Sequence, residues 1–345
     1  MKTVVVTGYN GYIGSVLSKN LIEYGHKVIG IDTNYFDAQC EFYEPELSEV
    51  IKIQKDIRDI SKEDLEGADT VCHLAALSND PVGELNPSLT FDINKDATIR
   101  LAQLSKSVGV KDFIFSSSCS LYGIEGNREL DEESKPNPIT AYAKSKVIAE
   151  EHILSLNNDN FYVTSLRNGT AYGLSPKLRL DLVVNNMVGW AMTTGEIKIL
   201  SDGTPWRPLV HVEDIASAFK AVIEDQNRNE SRLVLNVGLN GENYQIKNIA
   251  EIVLSILPKC KVIITAEHGS DSRTYKVKFD KIHAVLPNYV ARWTLRDGVE
   301  QIVEGYKKHN MTFAKFDSRF FYRLKQIRFL IDNKHVDHYL YWNRG

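Results

Sequence analysis

The sequence has few cysteines, no long apolar run and no excess of one charge, and each absence excludes a class of protein. The four cysteines lie far apart without a Cys-x-x-Cys pair, so we expect neither a disulfide framework nor a bound metal. No apolar run reaches the roughly 18 residues that a membrane-spanning helix needs. The net charge of −4 gives no basic surface, so we expect no nucleic-acid or membrane partner.

The overall composition is that of an ordinary globular protein. Hydrophobic residues make up 43% and charged residues 25% of the 345 residues, a length that suits one large α/β unit or two packed domains. The first residues lead directly into a predicted strand and lack the layout of a signal peptide. These features predict a cytoplasmic protein.

The first half of the chain alternates β-branched runs with stretches of helical period. Strands are predicted over residues 4–7, 27–32, 50–56, 70–74, 112–118 and 162–167, and helices over 12–24, 89–108 and 141–157. This alternation is typical of an α/β fold with a doubly wound parallel sheet, which is Rossmann-like. Ligands of such folds bind at the carboxyl ends of the strands.

Beyond residue 170 the alternation weakens, apart from a strand and helix over 208–224. We predict a Rossmann domain over 1–171 and 208–237, with a smaller, interleaved mixed α/β substrate domain over 172–207 and 238–312. A helical C-terminal extension covers 313–345. Its apolar residues recur every three or four positions, which predicts one helix that docks on the body or on another subunit. These residues are Phe316, Phe320, Leu324, Ile327 and Ile331.

A glycine-rich turn connects the first strand to the first helix. Glycines there permit a tight turn and close approach of the backbone to a pyrophosphate, which the helix N-terminus attracts. Asp32 ends the second strand, and a carboxylate there binds the adenosine ribose and repels a 2′-phosphate. The pattern therefore predicts NAD as cofactor. The residues of the turn that we assign to the cofactor are Gly8, Gly11, Tyr12, Ile13 and Gly14.

Tyr142 and Lys146 form the second motif. Their spacing of four places them on one face of a helix. Hydride transfer from an alcohol needs a base for the hydroxyl proton, and a nearby ammonium together with oxidised nicotinamide would lower the pKa of a phenol. Ser118, at the end of a predicted strand, could hold the reacting oxygen.

In this order, these motifs resemble those of the extended short-chain dehydrogenases/reductases, over residues 1–310. The resemblance includes the His73-Leu-Ala-Ala76 strand end and the serine run before Tyr122-Gly123. It implies a nucleotide-sugar substrate, a homodimer built on the helices near 93–107 and 142–157, and Ser118, Tyr142 and Lys146 as catalytic triad. It also implies further cofactor contacts at Asp56, Ile57, Leu74, Ala75, Ala76 and Asn94, with Tyr142 and Lys146 themselves facing the cofactor.

The substrate half departs from the family pattern. Arg207 and Arg273 resemble arginines that bind the diphosphate of the sugar nucleotide, which suits a forked guanidinium. Thr170 stands where the family often has asparagine, and Pro208 follows Arg207 where aspartate is usual. The residues that we assign to the substrate are Ser78, Ser118, Thr170, Asn186, Arg207 and Arg273.

The residues after Ser118 limit the reaction. A related 4,6-dehydratase would carry an Asp-Glu pair where this chain has Cys119 and Ser120, so dehydration is not expected. Cys119 is interpreted as a small buried residue. The favoured hypothesis is a 4-epimerase with a transient 4-keto intermediate. A 4-dehydrogenase or 4-keto reductase is the alternative, and a non-catalytic NAD-binding regulator is a third hypothesis.

Overall fold

The computed structural model describes residues 1–36, 38–225, 233–265 and 273–343. Numbered along the chain, its strands are β1 Thr3–Thr7, β2 Lys27–Asp32, β3 Ile51–Gln54, β4 Thr70–His73, β5 Asp112–Ser118, β6 Ile124–Leu130, β7 Tyr162–Asn168, β8 Thr170–Tyr172, β9 Glu196–Ile199, β10 Trp206–His211, β11 Val234–Val237, β12 Asn243–Gln245, β13 Lys261–Ile264 and β14 Thr274–Val277.

The helices are α1 Tyr12–Glu23, α2 Asp80–Gly83, α3 Pro87–Phe91, α4 Ala97–Ser107, α5 Ala141–Leu154, α6 Val183–Thr194, α7 Val212–Glu224, α8 Ile246–Ile256, α9 Asp280–Val285, α10 Leu295–Lys308, α11 Phe313–Asp317 and α12 Arg323–Asp332. A π-helical turn, Asp92–Asp96, joins α3 to α4. Within the described ranges, no helix is both long and apolar enough to cross a membrane.

The main sheet has seven parallel strands in the order β11-β7-β5-β4-β1-β2-β3. Its central strands are apolar on both faces: Val4, Val5 and Val6 are all buried. Helices α1 and α7 cover one face, and α4 and α5 cover the other. The predicted doubly wound, Rossmann-like fold is confirmed. The strand order reverses between β1 and β4, so a crevice opens at the carboxyl ends of these two strands.

Smaller sheets pair β12-β10-β8, β13-β9 and β14-β6 beside the main sheet. The sheet β12-β10-β8, strand β9 and the helices α6, α8 and α10 enclose a third apolar cluster. Leu130 of β6 and Tyr275 and Val277 of β14 belong instead to the cluster of α1 and α7. The predicted strand and helix over 208–224 divide between layers, because β10 joins a small sheet while α7 packs on α1. The domain limits given above remain a proposal.

The C-terminal extension is not the single helix that its apolar spacing predicted. The chain leaves helical geometry at Ser318 and again at Tyr322, so α11 and α12 are separate helices. Phe316 therefore packs in the cluster of α6, whereas Ile327 packs against the main sheet. The prediction was wrong because the apolar side chains serve two different cores.

Candidate active site

The glycine turn after β1 packs directly on the segment that follows β4. Gly8 has φ +75°, and a Cβ added there would lie 2.8 Å from the backbone nitrogen of Ala75. A Cβ added to Gly14 would lie 2.0 Å from the carbonyl oxygen of Gly8. Both positions therefore require glycine, and the close packing leaves room for a ligand above the turn.

One cavity collects most of the residues that the sequence assigned to the cofactor. It lies at the carboxyl ends of β1, β2 and β4 and extends to α12. The predicted residues that line it are Gly8, Gly11, Tyr12, Ile13, Gly14, Asp32, Asp56, Ile57, Leu74, Ala75, Ala76 and Ser78. Apolar walls with a glycine floor at a helix N-terminus fit a dinucleotide.

Asp32 lines this cavity, and the backbone holds its carboxylate in place. Its carboxylate accepts hydrogen bonds from the backbone N–H groups of Asn34, at 2.8 Å, and Asn10, at 3.2 Å. Burial raises the pKa of the Asp32 carboxyl, and these two hydrogen bonds oppose that change. The oriented carboxylate has lone pairs left to accept further hydrogen bonds, and its contact with a ribose stays a prediction.

Arg58 holds Asp56 through both carboxylate oxygens. Its Nε and Nη2 donate to Asp56 at 2.9 and 2.8 Å, and its backbone N–H donates at 2.8 Å. The sequence analysis did not identify this arginine, because nothing in the local pattern marks it. The ion pair fixes Asp56 and Ile57 at the wall of the cavity.

Asn94, which the resemblance assigned to the cofactor, lies in the π-helical turn between α3 and α4. Its amide oxygen accepts from the N–H of Leu77 at 2.8 Å, and its amide nitrogen donates to the Leu77 carbonyl at 3.1 Å. Asn94 is fully buried in the π-helical turn. It therefore positions the cavity wall through Leu77, and its own contact with the cofactor stays a prediction.

Ser118 and Tyr142 come together at the end of β5. Ser118 caps the turn that follows β5, where its hydroxyl accepts from the N–H of Ser120 at 3.1 Å. Thr140 caps α5 and thereby sets the direction of Tyr142. Burial raises the pKa of Tyr142 to about 12, and Asp80 adds to the increase, while Arg179, a hydrogen bond with Ser118 and Arg273 oppose it.

Lys146 is buried beneath the same strand. Its Nζ donates to the carbonyl of Ser116 at 2.8 Å and lies 4.5 Å from the ring centre of Phe115. Burial lowers the pKa of Lys146 to about 7, and the charge of Glu150 partly opposes this decrease. In the structure, burial outweighs the lowering of the Tyr142 pKa that the Tyr142/Lys146 spacing predicted. A further positive charge beside the phenol, such as that of oxidised nicotinamide, would lower the pKa of Tyr142.

Two arginines of the predicted substrate site contact each other, and one of them, Arg273, lies close enough to Tyr142 for its charge to lower the pKa of the phenol. Arg273 forms an ion pair with Asp80 at 2.7 Å, and Arg207 donates to the backbone carbonyl of Arg273. Arg179, which the sequence analysis missed, donates to Ser78 at 3.3 Å and binds Asp181 at 2.8 Å. Of the motif around Arg273, residues 271 and 272 lie outside the described residues.

Thr170 and Asn186, which the sequence also assigned to the substrate, form no hydrogen bond with these arginines in the described part of the structure. Thr170 pairs with Leu209 in the small sheet, next to Ala171, which lines the cavity. The Asn186 amide donates to the carbonyl of Leu180 at 2.8 Å and to the hydroxyl of Tyr322 at 3.4 Å. Through these two hydrogen bonds, Asn186 holds α6 in place.

Cys119 is a buried packing residue. Its side chain is fully buried, and its thiol donates to the carbonyl of Arg167 at 3.1 Å. Burial raises the pKa of the Cys119 thiol. A thiol in this environment is a packing residue, and it cannot replace the carboxylates that dehydration would need.

The fold and the site together identify the protein class. The model of the NAD dependent epimerase/dehydratase family matches residues 4–238, so the chain belongs to this family. It is an NAD-dependent enzyme, and the predicted cofactor is confirmed. The family match also confirms the resemblance drawn from the motifs.

Individual relatives narrow the comparison. A UDP-glucose 4-epimerase of Lactobacillus helveticus is 28% identical over 256 residues, covering 68% of this chain and 76% of the relative. A UDP-glucuronate 4-epimerase of Thermodesulfobacterium geofontis is 26% identical over 325 residues, covering 90% and 98%. The solved structure of MoeE5 in complex with UDP-glucuronic acid and NAD is 25% identical with a TM-score of 0.77, covering 89% and 99%.

Proposed function

We propose that this enzyme is a 4-epimerase of a nucleotide-diphosphate sugar. The observation that carries the proposal is the position of Ser118 and Tyr142, which meet next to a cavity suited to NAD. The similar relatives include 4-epimerases of UDP-glucose and UDP-glucuronate, which makes a UDP-hexose or its uronic acid the first substrate to examine.

In this proposal the side chains move one proton and hold one oxygen. Bound NAD supplies the hydride acceptor at C4 and later the hydride donor. The Tyr142 phenolate takes the proton of the sugar 4-hydroxyl and becomes the neutral phenol, and the Ser118 hydroxyl donates a hydrogen bond to the same oxygen while it becomes a carbonyl. The same phenol returns the proton after the keto-sugar has turned over, so acid and base are regenerated in each cycle.

Two arginines account for the diphosphate. Arg207 and Arg273 lie against each other through a backbone carbonyl, and Arg273 reaches Asp80 in the wall beside Tyr142. A guanidinium presents forked donors that match phosphate oxygens. In the proposal Arg273 binds a phosphate of the substrate, Arg207 positions it, and Ser78, Thr170 and Asn186 border the sugar nucleotide.

Epimerisation is favoured over net oxidation because the preference for NAD inferred from Asp32 suits a cofactor that stays bound and is regenerated in each cycle. Dehydration is disfavoured because Cys119 is buried and bound to a carbonyl. The 4-dehydrogenase or 4-keto reductase remains the alternative, since the same Ser118 and Tyr142 serve its hydride step.

The molecule is further proposed to act as a cytoplasmic homodimer. The four cysteines are free thiols, which suits a reducing compartment. The proposed contact includes α4 and α5, and two large apolar side chains close to α5 in space or sequence, Leu85 and Ile139, are 39% and 41% exposed.

The direct test is product analysis by NMR with a panel of UDP-, dTDP-, GDP- and CDP-sugars. A product inverted at C4, without net change in NADH absorbance, is expected. Accumulated ketone, or NADH consumed in proportion to product, would instead assign a dehydrogenase or reductase. Absence of turnover on every sugar, with Tyr142 intact and NAD bound, would favour the non-catalytic regulator.

A further inference from the structure

The C-terminal extension is fastened to the segment that follows β2, residues 33–36. Gln326 donates from Nε2 to the carbonyl of Tyr35 at 3.0 Å, and Trp342 donates from Nε1 to the carbonyl of Thr33 at 2.7 Å. The Tyr35 hydroxyl donates back to the carbonyl of Leu340. Because Thr33 and Tyr35 line the cofactor cavity next to Asp32, the extension closes the cavity at its ribose end.

The extension also covers the second acidic position of the cavity. Arg58, which holds Asp56, donates to the carbonyl of Tyr339 at 2.9 Å, and its guanidinium lies 3.9 Å from the ring centre of Tyr341. Both ends of the cavity wall that bears Asp32 and Asp56 are thus packed against the last residues of the chain.

Arg323, the first residue of α12, enters the cavity itself. It is 4% exposed, and its guanidinium lies 3.8 Å from the ring centre of Phe36. Its Nη2 donates to the carbonyl of Lys177 at 3.4 Å. Among the residues that the structure describes, its Nη1 has no hydrogen-bond partner. A buried guanidinium nitrogen without a hydrogen-bond acceptor destabilises the folded protein, unless a ligand accepts its hydrogen bonds.

The charges around the cavity single out the same residue. Lys55 and Arg179, which also line it, form ion pairs with Asp64 at 2.6 Å and with Asp181 at 2.8 Å. Within the described ranges, the Arg323 guanidinium has no carboxylate oxygen within 4 Å and so forms no ion pair. Of these three cationic side chains of the cavity, Arg323 is therefore the one without an ion pair in the described part of the chain, although the charges of Asp181 and Asp32 act on it at longer range. A dinucleotide carries its negative charge on the pyrophosphate.

We propose that the C-terminal extension is part of the cofactor site and that Arg323 donates to the pyrophosphate of NAD from the side opposite the glycine turn. The inference rests on the cofactor and not on the reaction at C4. The pyrophosphate is then held between the backbone N–H groups at the start of α1 and the guanidinium at the start of α12. The extension cannot detach without withdrawing that guanidinium, so its docking slows the exchange of the cofactor.

Calorimetric titration of the full chain, stripped of NAD, tests the proposal with NAD, ADP-ribose and adenosine as ligands. Arg323→Met should weaken NAD and ADP-ribose by roughly tenfold to a hundredfold, the loss expected for a charge-assisted hydrogen bond, and leave adenosine binding unchanged. Arg323→Lys should recover part of the loss. Arg328→Met, a change to an exposed arginine on the same helix, is the matched control.

Each result has a defined meaning. An equal loss for ADP-ribose and adenosine in Arg323→Met would show damage to the whole pocket and overturn the pyrophosphate contact, as would unchanged affinity for ADP-ribose. The comparison of two ligands within one variant separates a local loss from poor folding. Wild-type protein that binds NAD but inverts no sugar would end the proposed function while leaving this inference intact.

Discussion

Tyr142 combines a buried phenol with several charged neighbours. Burial and Asp80 raise its pKa to about 12, while Arg179 and Arg273 oppose the increase from the substrate side. The charges of these two arginines favour the phenolate, and the positive charge of bound oxidised nicotinamide would add to them, so we expect ionisation of Tyr142 to be coupled to cofactor binding.

Tyr142→Phe removes the hydroxyl that takes the proton. Turnover should fall roughly 10²- to 10⁴-fold, the usual contribution of general acid–base catalysis, because the ring still packs but no group accepts the proton. Turnover and NAD content of the purified variant are measured together. NAD content should equal that of wild type. Tyr24→Phe, at an exposed phenol, is the control, and equal turnover in both variants would remove Tyr142 from the mechanism.

Lys146 gives a prediction on stability. Burial lowers its pKa from 10.5 to about 7, so between these values the unfolded chain binds more protons than the folded protein. The contribution of Lys146 to the free energy of unfolding therefore increases with pH between about 7 and 10.5, and at lower pH this increase is absent. In urea unfolding of NAD-free protein, the free energy of unfolding of wild type minus that of Lys146→Met should increase from about pH 7 to about pH 10. Lys144→Met, at an exposed lysine of the same helix, should show a flat difference; a flat difference for Lys146→Met would refute the burial effect.

The sequence revealed residues that stand in motifs and missed those that do not. Gly8, Asp32, Ser118 and Tyr142 follow strand ends or open helices, so local patterns locate them. Arg179 and Arg323 lie in segments without such a pattern, and only the folded chain brings both to one cavity.

At the scale of elements, period-based prediction failed where an element changes its geometry. Residues 89–108 were expected to form one α-helix, but the π-helical turn Asp92–Asp96 inserts an extra residue per turn and points Asn94 at Leu77. The prediction of a single C-terminal helix failed for a related reason: its regularly spaced apolar residues pack into two different cores. The parallel strands were predicted well because their β-branched runs are buried on both faces.

The glycine turn needs glycine for two reasons, the left-handed backbone conformation and the lack of space for a Cβ, and two variants can separate them. Gly8 and Gly25 have φ of +75° and +79°, but only at Gly8 would a Cβ meet neighbouring backbone. Both alanine variants should lose roughly 1–2 kcal/mol of unfolding free energy from the left-handed conformation. Gly8→Ala should in addition lose NAD binding, measured by calorimetry, while Gly25→Ala keeps it. Equal NAD affinity in both variants would argue against the close packing of the turn on Ala75.

At the scale of the whole molecule, one sheet supplies the cofactor turn and the catalytic strand end, and the rest of the chain closes around them. The small sheets bring Arg207 and Arg273 to the substrate side, and the C-terminal extension closes the cofactor side. Light scattering at working concentration should give twice the mass of 39.1 kDa, and a monomer would remove α4 and α5 from any proposed interface.

The central claim is that hydride leaves C4 of a bound sugar and returns to the same carbon on the other face. A nucleotide sugar that turns over, labelled with deuterium at C4, tests this directly. Deuterium NMR should find the label retained at C4 of the inverted product, in full and without exchange with water. Protium at C4, or label recovered in added NADH, would contradict the account.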